Sequence, residues 1–265
     1  GCINIQSVIH GVLMNSFYSQ QAGCTVRWQD LPGFGDPVVF IHGLGCASSY
    51  EYPRIVCDTR FGGRRAILID LPGSGYSDKP DNYRYRTSEQ AQVVVELLNH
   101  LGLDSLWLYG HSMGGSIAIE TATLLTSRVK GLIVSEPNFH AGGGMFSRAI
   151  AAQTEQHFLA QGYDDMLRAE TSPWAGSLQS NAPWAVWRGA TSLVEGVKPD
   201  WEHLFLSLRC PVMLVFGERS LPDDDFNRLQ QNGVAVKIIP DAGHSMSWEN
   251  PSALAQALSG FINGS

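Results

Sequence analysis

The sequence predicts an α/β fold, a mostly parallel sheet flanked by helices and interrupted by a helical insertion. Three observations lead there. Short apolar runs alternate with amphipathic segments of about 10 to 15 residues, the pattern of strands joined by crossover helices. One such run, Leu106-Trp-Leu-Tyr109, passes through Gly110-His-Ser-Met-Gly114 straight into an Ala- and Leu-rich segment, Ile117 to Leu125. That is a strand-to-helix turn of the G-x-S-x-G kind. Third, the alternation stops between about Phe139 and Leu208, where four of the seven tryptophans (Trp174, Trp184, Trp187, Trp201) gather.

Each element follows from its residues. The first 23 residues mix apolar and polar side chains without a firm period. They read as an N-terminal extension or a segment packed on the domain through Ile3, Ile5, Val8, Ile9, Val12 and Leu13. Cys24 to Gln29 alternates like a half-buried strand, and Leu31 to Pro37 is a cluster of turn residues. Pro37-Val-Val-Phe-Ile41 is continuously apolar, as a strand covered on both faces should be, and it enters His42-Gly-Leu-Gly45 directly. The run from Arg64 to Leu71 ends in Asp70-Leu-Pro-Gly-Ser-Gly-Tyr-Ser77. Thr87 to Leu101 is helical, with Val93, Val94, Leu97, Leu98 and Leu101 on one face and Gly102 ending it. After the serine turn, Lys130 to Ser135 is a strand with Glu136-Pro-Asn138 at its carboxyl end, the place where functional groups collect in open α/β sheets.

Ala141 to Gly144 then reads as a hinge, Met145 to Leu159 and Asp164 to Thr171 as helices, and Pro173, Pro183 and Pro199 as breaks. The sheet resumes at Pro211 to Phe216 and ends at Val234 to Ile239, followed by Pro240-Asp-Ala-Gly-His-Ser245. The closing helix starts near Pro251, with Asn250 as its cap. The predicted organisation is thus residues 24–138 and 209–265 as one core, with 139–208 as a helical cap.

Composition narrows the function. Hydrophobic residues make up 44% and charged ones 16% of 265 residues, enough for one sizeable core. A net charge of −7 without Lys/Arg runs argues against nucleic acid or an anionic membrane as partner, and a small, weakly polar molecule fits better. Self-association into a homodimer is left open. The five cysteines are scattered and show no C-x-x-C spacing, so neither a zinc cage nor a disulfide framework is predicted. No apolar run reaches the roughly 18 residues that cross a bilayer. The first twenty residues lack a basic stretch and a clear cleavage site, which favours a cytoplasmic location.

The serine turn carries the chemistry. Bending from strand to helix so sharply requires glycine two positions before and two after the serine, here Gly110 and Gly114. It leaves Ser112 exposed at a helix N-terminus, where backbone N–H groups favour a developing oxyanion. A serine hydroxyl needs a base to take its proton, and an imidazole of near-neutral pKa suits that task.

Taken together, His42-Gly-Leu-Gly45, Asp70 to Ser77, Gly110 to Gly115 and Asp241-Ala-Gly-His244 resemble the α/β-hydrolase family, and the resemblance spans about Cys24 to Phe261. It implies a mostly parallel eight-stranded sheet with a helical cap inserted after the sixth strand. It also implies Ser112 as nucleophile, His244 as base, and the N–H groups of Leu44 and Met113 as the oxyanion hole. Most relatives take the third, acidic member from a G-x-x-D pattern after the seventh strand. Here that pattern reads Gly217-Glu-Arg-Ser220, so the usual aspartate is missing. A minority, including haloalkane dehalogenases and some lactone hydrolases, takes the acid from the end of the sixth strand, where this chain has Glu136. Asp223 and Glu218 stay open as alternatives to Glu136. Asp70, Ser77 and His42 are assigned to architecture, and the cap residues Trp174, Trp184 and Trp187 to the walls of the substrate pocket.

The resemblance implies hydrolysis of a carboxylic ester or lactone through an acyl-enzyme, with neither metal nor organic cofactor. Epoxide hydrolysis and dehalogenation are disfavoured, because those relatives carry Asp at the position of Ser112. Hydrolysis of a carbon–carbon or amide bond by the same triad, or a low-turnover small-molecule receptor on the same fold, are the other readings.

Overall fold

The computed structural model describes residues 14–264, so the apolar positions from Ile3 to Leu13 lie outside the described residues. Eight strands form one sheet: β1 (Asn15–Ser19), β2 (Cys24–Leu31), β3 (Phe34–Ile41), β4 (Arg64–Asp70), β5 (Leu106–His111), β6 (Val129–Ser135), β7 (Val212–Gly217) and β8 (Ala235–Ile239). Their order is β1-β2-β4-β3-β5-β6-β7-β8. The pairs β1·β2 and β2·β4 are antiparallel, and the remaining pairs are parallel. The sheet is therefore mostly parallel, as its uninterrupted apolar central runs require. β1 falls within the stretch that showed no firm period. It is an edge strand that pairs with β2 and packs Phe17 against Trp28 and His100.

Alternation along each strand divides the core between the two faces. Val39, Ile41, Ile67, Ile69 and Leu108 face the helices Thr87–His100 and Met113–Leu125. Val38, Phe40, Leu68 and Tyr109 face the helix Pro251–Asn263 through Leu254, Leu258 and Ile262. Central residues from both sets have no exposed surface, which fixes the strand ends that carry the site.

Between β6 and β7 the chain runs through the helices Met145–Ala151, Glu155–His157, Tyr163–Ala169, Trp174–Gln179, Pro183–Glu195 and Trp201–Ser207, with a π-helical turn at Phe158–Gly162. Two of these helices begin at prolines that mark breaks in the sequence pattern. Pro183 is the first residue of its helix and Pro173 caps another, positions where a missing N–H is no loss. Ile150, Phe158, Leu178, Val186 and Ala190 make a separate small core among these helices.

Candidate active site

The parallel register brings the carboxyl ends of four strands together. His111 at the end of β5 pairs with Ser135 at the end of β6, and Gly217 at the end of β7 pairs with Ile239 of β8. Ser112, Glu136 and the loop carrying His244 therefore emerge side by side, although 132 positions separate Ser112 from His244 in sequence.

The serine turn has the geometry its glycines imply. Ser112 has φ 55° and ψ −123°, a conformation a side-chain-bearing residue adopts only when its surroundings force it. A Cβ on Gly114 would lie 2.1 Å from the Ile41 carbonyl oxygen, and one on Gly110 would lie 2.2 Å from the Gly114 carbonyl oxygen. Backbone occupies both spaces. Met113 is the first residue of the helix Met113–Leu125, so its N–H has no intrahelical acceptor. Leu44 lines a cavity together with Ser112, and its carbonyl accepts the Trp174 indole N–H at 3.1 Å. Gly43 brings that loop close to the serine: a Cβ there would lie 3.4 Å from Ser112 Cβ.

Glu136 is nearly buried and also strained, with φ 40° ahead of Pro137. Its Oε2 accepts the Gly217 N–H at 2.9 Å, and its Oε1 lies 3.1 Å from His244 Nδ1. A carboxylate only accepts, so Nδ1 carries the proton and Nε2 is free to act as a base. Burial pushes the Glu136 pKa up, but the His244 hydrogen bond and charge and the Gly217 N–H outweigh it. The carboxyl is held below its ordinary value. The alternatives hold other hydrogen-bond partners, although Asp223 borders the same cavity as Ser112 and His244. Asp223 caps the helix Asp224–Gln231 by accepting the Phe226 N–H at 2.9 Å, and Glu218 accepts the Asp241 N–H at 3.1 Å.

His111 packs against His244 with the two rings tilted at 44° and their centroids 4.6 Å apart. Its Nδ1 lies 2.7 Å from Ser135 Oγ, which is 2.7 Å from the Tyr109 hydroxyl. Burial, and then the neighbouring His244, push its pKa down to about 3, so a neutral ring packs against His244. His42 and Asp70 are architectural. His42 Nε2 accepts the Leu71 N–H at 3.0 Å, and Asp70 accepts from Ser49 and from the Tyr76 N–H.

Ser112, Glu136 and His244 line one cavity of about 420 Å³. Of the three tryptophans expected in its walls, Trp174 is there and Trp184 and Trp187 are not. The Trp184 indole N–H bonds the Pro80 carbonyl at 3.0 Å, and that of Trp187 bonds the Gln153 carbonyl at 2.9 Å, which turns both rings elsewhere. Trp187 lines a separate surface pocket beside Arg84 and Arg188. The wall is completed by residues the sequence did not single out, chiefly Glu51, Phe146 and Trp248. Phe146 packs on Trp174 at 4.9 Å, and Trp248 lies under the Arg54 guanidinium at 4.0 Å. Of these, Trp248 alone carried a usable signal, its place just after His244.

Among the described residues, His140, Glu202 and Asp225 cluster closely enough to ligate a cation. Arg228 already fills that cluster, in ion pairs with Glu202 and Asp225. Cys24, Cys46, Cys57 and Cys210 are free thiols. No helix among the described residues is long and apolar enough to cross a membrane.

Comparison with known proteins agrees with this architecture. The dihydrolipoyllysine-residue acetyltransferase component of the acetoin cleaving system of Pseudomonas putida is 24% identical over 265 residues, covering 92% of this chain and 68% of that protein. The mesoderm-specific transcript homolog protein of Homo sapiens is 24% identical over 300 residues, covering 98% and 89%. Among solved structures, a thermophilic esterase from Thermogutta terrifontis matches with a TM-score of 0.77 at 22% identity, covering 95% of this chain and 98% of that one. The N-acyl homoserine lactonase AidH matches with a TM-score of 0.75 at 20% identity, covering 95% and 96%. At such identities these structures show a common fold. The family model described as alpha/beta hydrolase fold matches residues 36–251, most of the chain, and the chain therefore belongs to the α/β-hydrolase family.

Proposed function

We propose that this chain is a serine hydrolase that cleaves a carboxylic ester or lactone of a small to medium, largely apolar substrate. The observation that carries the reading is the Glu136–His244 hydrogen bond, which leaves the far nitrogen of His244 as a base in the cavity that holds Ser112. His244 takes the Ser112 proton as Oγ attacks the carbonyl carbon, and Glu136 stabilises the imidazolium that forms. The oxyanion is met by the N–H groups of Leu44 and Met113. Collapse expels the alcohol, which receives the proton from His244. Water, deprotonated by the same imidazole, then releases the acid and restores the serine.

The likeness to a solved esterase and a solved lactonase supports this substrate class, as do the apolar walls made by Leu44, Phe146, Trp174 and Trp248. Reaction with a fluorophosphonate, followed by turnover of a panel of aryl esters and lactones, tests it. Wild type should be labelled, and Ser112→Ala should escape labelling and lose about 10³-fold or more in kcat. An unlabelled wild type that turns over none of the panel would overturn the reading.

A further inference from the structure

The cavity contains a carboxyl that this mechanism does not use. Glu51 ends the short helix Ser48–Glu51, in the segment that continues from the Leu44 loop. It is 3% exposed and lines the cavity together with Cys46, Ser112 and His244. Its Oε1 accepts a hydrogen bond from Ser247 Oγ at 2.5 Å, across 196 positions of sequence. Ser247 belongs to the helix Met246–Glu249, immediately beyond His244. Glu51 Oε2 is buried and has no hydrogen-bond partner. A buried carboxyl with one oxygen unmet is unfavourable as packing alone.

We propose that Glu51 is a positioning residue for the reaction: it ties the turn that carries His244 to the loop that carries the Leu44 N–H, and its charge stabilises the His244 imidazolium. The inference rests on Ser112 and His244 acting as nucleophile and base. The bond to Ser247 joins the two segments whose relative placement decides whether the base and the oxyanion donor meet one carbonyl group. The groups around Glu51 are Ser247 and His244 from the last loop, Cys46 ahead of it, Tyr52 and Arg54 behind it, and Tyr109 from β5. Arg54, stacked on Trp248, is the standing cation among them, and His244 becomes one when it takes the serine proton. Burial, opposed by Ser247, His244 and Arg54, leaves the Glu51 pKa pushed up to about 7. Near neutrality the carboxyl therefore exchanges its proton, and the charge it presents to the site changes over that range.

The test is the pH dependence of kcat/KM for an aryl ester in wild type, Glu51→Gln and Ser247→Ala, with fluorophosphonate labelling of each. Glu51→Gln keeps an acceptor for Ser247 and removes the charge. The acid limb of its profile should move to lower pH by about half a unit or more and simplify to a single ionisation, because the imidazolium loses an anion that favours it. Ser247→Ala keeps the charge and releases the turn. Its kcat should fall by about 10- to 100-fold with KM little changed. A group that only filled space would leave the limb where it is in Glu51→Gln, and coincident limbs overturn the proposal. Should Glu51→Gln fail to fold, an unaltered kcat in Ser247→Ala overturns it instead. If wild type is not labelled at Ser112, the hydrolase reading falls and this proposal with it. If wild type is labelled and the limbs coincide, this proposal alone falls.

Discussion

Replacing Glu136 by Gln tests the assignment of the acid with almost no change in volume. In the native site the carboxylate accepts two hydrogen bonds at once, the Gly217 N–H at 2.9 Å and His244 Nδ1 at 3.1 Å. An amide offers one accepting oxygen and one donating NH2. If its oxygen keeps the Gly217 N–H, the NH2 faces His244 and favours the tautomer with Nδ1 bare and the proton on Nε2. That tautomer cannot take the Ser112 proton. If its oxygen keeps His244, the NH2 collides with the Gly217 N–H in a nearly buried setting, at a cost of about 1–3 kcal/mol. Either route raises the barrier. A wrong-tautomer acid in serine hydrolysis generally lowers kcat by up to about 10⁴-fold, so a fall of about 10²- to 10⁴-fold is expected, or about 3–5 kcal/mol. Single-turnover acylation of an aryl ester, run beside Asp223→Asn, reads it. Asp223→Asn should keep near-normal kcat, since Asn also caps helices well. Near-normal acylation in Glu136→Gln together with collapse in Asp223→Asn would refute the reasoning.

Three further outcomes follow from the same geometry. Gly114→Ala would place a methyl group 2.1 Å from the Ile41 carbonyl oxygen; it should lower Tm sharply or prevent folding, and a Tm within a degree or two of wild type would contradict the packing at the turn. Trp174→Phe removes the indole N–H that bonds the Leu44 carbonyl and should lower kcat/KM by about tenfold, whereas Trp187→Phe, outside the cavity, should leave it within about twofold; equal effects in kinetics would contradict the lining. Stability should also respond to pH through Glu51. Its folded-state pKa of about 7 lies above the ordinary 4.5, so between those values the folded protein binds more protons than the unfolded chain, and this contribution declines as pH rises through that interval. Tm measured across that window should fall less steeply with rising pH in Glu51→Gln than in wild type.

The sequence by itself determined the elements whose signals are local. Apolar runs such as Val38 to Ile41 and Leu106 to Tyr109 are short and flanked by turn residues, which marks them as strands covered on both faces. The Gly110–Gly114 spacing specifies a strained turn, because side chains at those two positions would overlap backbone. The motif around His244, with Ser220 where the usual aspartate would stand, points to Glu136 as the acid. The tertiary structure decided what depends on register and on which way a ring turns. The pairing of His111 with Ser135 sets Glu136 beside Ser112, and the hydrogen bond to His244 distinguishes it from Asp223, which a helix N-terminus has engaged. β1 was invisible because Phe17 is the one side chain of its five residues in the hydrophobic core, and pairing with β2 leaves no mark in its own sequence. The tryptophans of the 139–208 segment look alike in sequence, yet their indole N–H groups find carbonyls in different places, and only Trp174 of the three expected turns to the cavity. Glu51 left no trace in its own neighbourhood, since its partner Ser247 lies near the opposite end of the chain and only folding brings the two together.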